Sequence, residues 1–547
     1  MIQFWLKTAL KAAVTTIFIS SFSFGGGYHE DGVVLITSTL QSQDKTSFLK
    51  KFYEQLYFVP VWTQEDDISN FTKQLLKQID SDKTLEATSN IRLNAFGILS
   101  KANMQYKSMT LDQKIAFEFE IANLYKDYID HLLNGNINWS AFKGMLINPR
   151  DENEINGGWV TYPSKFNLYN IMQDALINGS LAETLDRAAP KGFNYEAMNA
   201  KLIKYLEIKQ KGGWKIISAK GVIKPGQTSK FIPLIRERLS ATGELEGCGL
   251  SESILYDTCL QKAIIKFQKN NGINTNGVIE ERTFKALGES IDKRISKIRL
   301  NMDRIKWLNH RFEPRSIMIN IPDFKLTFIE NGKIRKEMRV ITGSKNHRTP
   351  IFSNRVSNIV LNPYWNVPQS IIQKEMIPKL LRNPNAMSGE GIEVTKGWDK
   401  GAAKINPASI NWRQYQSSSS VPFRFAQPPG YRNALGKIKF LFPNNFSVYM
   451  HDTPTKNLFN KDVRAFSHGC IRLGEPMELL KIFSSFDGAA NLAYANKVLK
   501  GNTETVLVLK NSIPVDIVYL TSWMDQNGEL QFREDVYGYD AMQSNKK

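Results

Sequence analysis

The chain has little cysteine and little histidine: three and six residues respectively in 547. With so few soft ligands, and no CxxC pair or HExxH spacing, a zinc-centred chemistry has little to be built from. The one conceivable ligand set, His451, His468 and Cys470, lacks any paired spacing to support it, so no metal is expected. Beyond the first residues no apolar run approaches the roughly 20 residues that span a bilayer. Acidic residues are outnumbered, 53 against 71 Lys and Arg, for a formal charge of +18. Such an excess by default suggests a polyanion partner. The basic residues are nevertheless spread along the chain, and no helix-turn-helix, zinc-finger or RNP-like signature accompanies them, so no nucleic acid is expected. A solvated basic surface, weakly drawn to anionic surfaces, is the remaining account. A hydrophobic content of 42% with 11% aromatics excludes a disordered chain, and the length suits two to four domains.

What the chain does carry begins at its start. MIQFWLKTALKAAVTTIFISSFSFGGG has Lys7 and Lys11 ahead of an apolar run from Ala12 to Phe24. Residues 1–27 therefore read as a signal peptide, or as a membrane anchor because no clear A-x-A site follows, and the body is expected to be exported. In an oxidising compartment Cys248 and Cys259, eleven positions apart, can pair, which leaves Cys470 as an odd thiol. Spacing alone does not fix that pairing.

Cys470 sits in Ser467-His468-Gly469-Cys470-Ile471-Arg472, with His451 nineteen positions upstream at the end of a strand-like run. A lone cysteine is ordinarily a small buried hydrophobe. A thiol with imidazoles nearby and a glycine beside it reads instead as a nucleophile: an imidazole holds the thiolate, and the small neighbour lets backbone N–H groups approach an oxyanion. The run from Asn433 to Leu473 resembles the active-site signature of the L,D-transpeptidases, the YkuD-type catalytic domain of bacterial cell-wall enzymes: a histidine, a variable loop, then Ser/Thr-His-Gly-Cys. Arg472 departs from the commoner Asn at that position and resembles the large multidomain subgroup. The resemblance gives Cys470 the role of nucleophile and His451 that of base. It leaves Gly469, Cys470 and Ser467 as turn and oxyanion elements, His468 and Arg472 as supporting groups, and Tyr449, on the same strand face as His451 at period two, as a further hydroxyl.

Helical periodicity dominates residues 45–215, most plainly from Leu111 to Leu133. This part resembles the scaffold region of the same subgroup; its Trp62 and Trp139 read as sugar-stacking or, more ordinarily, as core residues. Residues 224–290 hold two helices, turns at Asn271-Gly272 and Asn276-Gly277, and a third helix from near Glu280. They resemble the small three-helix peptidoglycan-binding domain, although Gly277 and Thr283 equally suit a turn and a cap. Strands follow over 298–525, with an Asn331-Gly332 hairpin and runs at 358–361, 438–442, 446–451, 505–509 and 515–520. A short helix from Pro476 comes after the nucleophile. Between them lies a long insert, read as a mobile lid over 373–431, with Tyr364 and Trp365 before it as candidate cleft residues. Residues 526–547 read as a tail.

The expected fold is thus α+β and multidomain: a β-rich, sandwich-like catalytic domain with an inserted lid, a helical scaffold and a small three-helix domain. The resemblance implies a periplasmic enzyme, exported either free or with an inner-membrane anchor, that joins peptidoglycan stem peptides through a thioester. A tetrapeptide would be donor, a diamino acid's side-chain amine acceptor, and a 3-3 cross-link the product. No cofactor is required, and carbapenem-type β-lactams are expected inhibitors. Two rivals remain: an L,D-carboxypeptidase or endopeptidase that uses water as acceptor, and a non-catalytic wall-binding scaffold.

Overall fold

The computed structural model describes residues 26–146, 158–249, 252–309, 313–399, 401–418 and 420–544. All but the last two residues of the expected export segment lie outside them. Among the described residues no helix is long and apolar enough to cross a membrane.

The N-terminal helices pack around the Leu111–Asn134 helix, whose start is fixed by a reciprocal capping box between Thr110 and Gln113. Its buried face carries Ile115, Ile121, Leu124, Tyr125 and Tyr128. Trp62 and Trp139 are both buried, which is the ordinary core role. Glu118 is also fully buried, and its carboxylate accepts from the Tyr53 hydroxyl at 2.8 Å, the Val61 and Trp62 amides at 2.8 and 2.9 Å, and the Thr63 hydroxyl at 2.6 Å. This core closes at Ala188. The next helix, Tyr195–Gln210, packs with the Ile291–Ile305 helix and the C-terminal strands instead.

The Ile291–Ile305 helix is a spine that joins the scaffold, the small helical unit, the large sheet and the C-terminal segment. Ile295, Ile298 and Met302 enter one core while Leu300 enters that of the sheet. Arg299 donates to the carbonyls of Lys83 and Leu85, Asp303 accepts from the Asn136 amide, and the Arg294 guanidinium caps the carbonyl of Ala286. Arg304, fully buried, pairs with Asp540 at 2.8 Å and donates to Gln543.

Three helices, Ile232–Thr242, Thr258–Asn270 and Glu281–Leu287, form a small unit with its own core. Gln268, buried within it, accepts from the Gly277 amide and donates to Thr283 Oγ1. Gly277 and Thr283 are therefore occupied in holding the turn. Cys248 and Cys259 are disulfide-bonded across this unit, with Cα atoms 6.1 Å apart. At Gly272 the backbone has φ +61°, and a Cβ there would stand 2.4 Å from Arg533 Cδ; the unit is pressed against the C-terminal segment at that turn.

The strands are β1 (Arg315–Asn320), β2 (Lys325–Glu330), β3 (Lys333–Gly343), β4 (Phe352–Leu361), β5 (Trp365–Asn366), β6 (Glu393–Thr395), β7 (Arg424–Gln427), β8 (Ile438–Leu441), β9 (Met450–His451), β10 (Ala465–Ser467), β11 (Ile471–Leu473) and β12 (Thr505–Val518). Nine form one mixed sheet in the order β10-β3-β11-β9-β8-β4-β12-β1-β2, and β2 pairs again with β3. The faces of the expected sandwich are thus one sheet curled back on itself. Positive φ at both Asn331 (51°) and Gly332 (76°) gives the two-residue β2–β3 turn its type I′ form. The two strands expected at 505–509 and 515–520 are a single strand, β12, with a bulge between Val508 and Ile513.

One strand is much shorter than its sequence suggests. The run from Phe446 is strand only at Met450–His451, because Asn444 Oδ1 accepts from the Phe446 and Val448 amides and Ser447 takes φ 54°. A side chain competing for backbone donors there defeats the ladder.

The insert has architecture of its own. β5, β7 and β6 make a separate three-stranded sheet, over a core that includes Val367, Ile372, Ile377, Met387, Trp412 and Phe425. The C-terminal stretch read as a tail is likewise packed: Tyr537 and Tyr539 are buried in the core of the large sheet.

Candidate active site

β8, β9 and β11 are neighbours, and their alternation sets the site. Ile438, Phe440, Met450 and Ile471 point into the core, so Lys439, Tyr449, His451, Cys470 and Arg472 fall on the opposite face by the period of two. Register then aligns them: Lys439 stands opposite His451, and His451 opposite Arg472. Cys470 and Tyr449 lie one step back along the same strands, the Ile471 amide donating to the Tyr449 carbonyl at 3.0 Å.

The Cys470 thiol is half-buried. Its sulfur is 3.9 Å from the Ser447 carbonyl and meets both the backbone and the hydroxyl of Tyr449. Burial pushes the thiol's pKa up, outweighing the Tyr449 contacts and the nearby Lys439 and Arg472 charges, which pull it down. Tyr449 itself is held well above the usual phenol range by burial and by the sulfur. Lys439 Nζ sits 3.8 Å over the Tyr449 ring, and burial lowers its pKa.

His451 is buried, with Nδ1 donating to the Asp452 carbonyl at 2.5 Å, the tautomer in which Nε2 is the basic nitrogen, and its ring also meets the backbone of Leu435. Burial first, then the Arg472 charge, depress its pKa to about 3, the Lys439 charge adding to the effect. The imidazole is therefore neutral at any ordinary pH. With the thiol raised and the imidazole lowered, the resting pair is thiol and neutral imidazole. Tyr449 packs edge-on against His451, with ring centroids 5.6 Å apart, and its hydroxyl also meets the Cys470 sulfur.

The loop carrying the thiol is braced from two directions. Gly469 has φ +107°, a conformation open to glycine, and its amide donates to Ser467 Oγ, which itself donates to the Cys470 carbonyl. The Gly469 amide is thus engaged in the turn rather than aimed at an oxyanion. The Gly469 carbonyl accepts from Thr349 Oγ1 at 2.8 Å, and that oxygen also accepts from the Gly343 amide. Tyr537, from the C-terminal segment, donates to the Gly343 carbonyl at 2.8 Å and accepts from the Thr349 amide at 3.1 Å. A Cβ on Gly343 would lie 1.9 Å from the His347 carbonyl, so only glycine closes this loop.

His468 turns away from the sulfur. Its Nε2 lies 2.5 Å from Glu375 Oε1 of the insert, and the His347 ring packs against it at a tilt of 51°, centroids 4.7 Å apart. Trp365 packs on the insert's own core, and Tyr364 lies beneath Arg424 with its amide bonded to Glu504. Sequence reasoning missed Lys439, Glu375, Thr349 and Tyr537. Only Lys439 carried a signal, as the polar residue between Ile438 and Phe440. Among the described residues no group of three or more His, Cys, Asp and Glu could hold a metal ion.

Residues 314–507 match the family model of the L,D-transpeptidase catalytic domain (YkuD), and residues 47–202 that of a scaffold domain. A Haemophilus influenzae protein named "Putative L,D-transpeptidase" is 34% identical over 224 residues, covering 41% of this chain and 44% of that relative. The chain thus spans under half the length of the curated relative it matches. A solved L,D-transpeptidase from Mycobacterium smegmatis is 12% identical, over 38% of this chain and 58% of its own, at TM-score 0.18. Another, from Stackebrandtia nassauensis, is 12% identical over 55% and 96%, at TM-score 0.22. The domain matches enclose every residue of the site from Lys439 to Arg472, and the chain carries a YkuD-type L,D-transpeptidase catalytic domain preceded by a scaffold domain.

Proposed function

We propose that this chain is a peptidoglycan L,D-transpeptidase in which Cys470 is the nucleophile and His451 the base. The observation that carries the reading is the half-buried Cys470 thiol beside a neutral, buried imidazole on one face of the β8-β9-β11 ladder. As the thiol attacks the carbonyl of the third stem residue, its proton passes to His451, whose position between two cations makes the imidazolium short-lived and a ready donor to the departing amine. The S–C bond forms, the C–N bond breaks, and the terminal D-amino acid leaves with that proton. An acceptor amine from a neighbouring stem then gives up a proton to His451 and attacks the thioester; the new C–N bond forms, the S–C bond breaks, and His451 returns the proton to the Cys470 sulfur, which yields a 3-3 cross-link. The Cys470 amide, at the turn next to the engaged Gly469 amide, is the oxyanion donor in this scheme. Tyr449, against the sulfur, supports the charge in both steps.

The thiol chemistry needs no cofactor. A strained acyl donor such as a carbapenem is expected to acylate the same sulfur. The cationic, apolar N-terminus and the Cys248–Cys259 pair support a periplasmic location, with the inner membrane as a point of attachment.

The test is mass spectrometry of products formed from disaccharide-tetrapeptides, beside a Cys470→Ala control. A cross-linked dimer lacking one terminal D-amino acid, absent from the control, is the expected result. Tripeptide monomers alone would make the enzyme a hydrolase, and unchanged substrate with retained binding to sacculi would make it a scaffold.

A further inference from the structure

The site holds two cations: Lys439 feels the carboxylate of Glu504, while Arg472 has no carboxylate acting on it. Lys439 and Arg472 flank His451 on adjacent strands, on the face that carries Cys470. Both are half-buried, yet among the described residues neither side chain makes a hydrogen bond or a salt bridge, and the Arg472 Nε is buried with no partner at all. A guanidinium withdrawn from water and left unpaired is costly unless a ligand completes it. The two charges act on different groups. Lys439 is the stronger of the pair on the thiol, and Arg472 the stronger on the imidazole. A thiolate formed during attack answers one cation, and one remains.

We propose that Arg472 binds the free carboxylate of the residue that departs on acylation. This rests on the transpeptidase reading and deepens it by naming what the donor must present. In a stem whose third-residue carbonyl sits at Cys470, the carboxylate of the next residue lies three bonds beyond that carbonyl carbon. Arg472 is two positions from Cys470 on the same strand face, about 7 Å along the strand, within reach of a guanidinium fork that matches a carboxylate's two oxygens. Binding there orients the amide for attack. When the C–N bond breaks and the amine takes the proton from His451, the leaving amino acid carries its carboxylate away and the subsite is vacated. The enzyme is accordingly selective for donors that end in a free acid one residue after the scissile bond.

The experiment is single-turnover acylation of Cys470, followed by intact-protein mass, with a disaccharide-tetrapeptide and with the same donor capped as its C-terminal carboxamide. The wild type should react about tenfold to a hundredfold faster with the acid, the range expected for one charge-assisted bidentate contact. In Arg472→Gln and Arg472→Met that ratio should fall close to one, whatever the absolute rates. The two variants are run together, each checked by thermal melting, so that either folded protein decides. A wild-type ratio near one, or variants that slow both donors equally and keep the ratio, would overturn the proposal while the transpeptidase reading stands. No acylation of the wild type by either donor would instead overturn that reading, and this subsite with it.

Discussion

Glu375 and His468 stand 2.5 Å apart, carboxylate oxygen to imidazole nitrogen, and join the insert to the loop that carries Cys470. Both are about 38% exposed, so the pair contributes little to overall stability, roughly 0.2–1 kcal/mol. The insert has its own apolar core to keep it folded. Glu375→Gln should therefore leave the melting temperature within about 2 °C of wild type and raise hydrogen exchange in the 369–377 segment several-fold. Exchange indistinguishable from wild type there would show that the contact does not hold the insert down.

The thiol and imidazole of the site are a neutral pair, and this predicts a particular pH profile. Burial raises the Cys470 pKa, while His451, depressed to about 3, stays neutral across the range. Alkylation by iodoacetamide should climb steadily from pH 6 to 9, without the plateau that a thiolate–imidazolium pair produces. Lys439→Met removes a charge that pulls the thiol pKa down, so alkylation at pH 8 should slow by about three- to tenfold. A plateau below pH 7 would refute the neutral pair.

Glu118, fully buried, gathers four donors. Truncation to alanine leaves all of them unanswered, and Glu118→Ala should cost about 3–5 kcal/mol of stability. Glu118→Gln keeps an acceptor but turns an amide N–H toward donors, and should fall between. Urea titration of the intact protein measures both. A loss below about 1 kcal/mol for the alanine variant would contradict this account.

His131 sets a dependence of stability on acid. Its Nε2 meets Thr84 Oγ1 at 2.9 Å while Nδ1 is buried without a partner, and burial with the Lys306 charge lowers its pKa to about 4. The unfolded chain binds this proton first, near pH 6.5, because the folded imidazole resists it. The stability it contributes is thus intact above pH 6.5 and erodes as pH falls towards 4. The urea midpoint should decline over that interval, and His131→Gln should flatten part of the slope. A midpoint equally steep in the variant would assign the decline to other groups.

Much of this was legible in the residues. The capping box at Thr110, the Asn331-Gly332 turn and the Ser467–Cys470 motif are local, and local chemistry fixes them. The Ile438–Phe440 alternation even pointed Lys439 to the outer face. That it would stand opposite His451 depended on β8 and β9 pairing across the Asn444 loop, and that loop took four residues from the expected strand. The insert was opaque for another reason: Val367, Ile377, Met387, Trp412 and Phe425 are too widely spaced to show a period, and they become a core only after the chain has folded over. The hydrogen bonds of Glu375 to His468 and of Tyr537 to Gly343 span 93 and 194 positions, a distance no motif covers.

The spine helix has a consequence for how the protein comes into being. Arg304 is sealed in by Asp540 and Gln543, and the loop beneath Cys470 is propped by Tyr537. Residues 537–543 thus complete both the surroundings of the Ile291–Ile305 helix and the bracing of the Cys470 loop. A nascent chain stopped before Tyr537 would have a finished scaffold and a complete sulfur motif and still lack a settled active loop. Docking of this segment and ordering of the Cys470 loop coincide, and a copy lacking residues 537–543 is left loosely held and open to proteolysis.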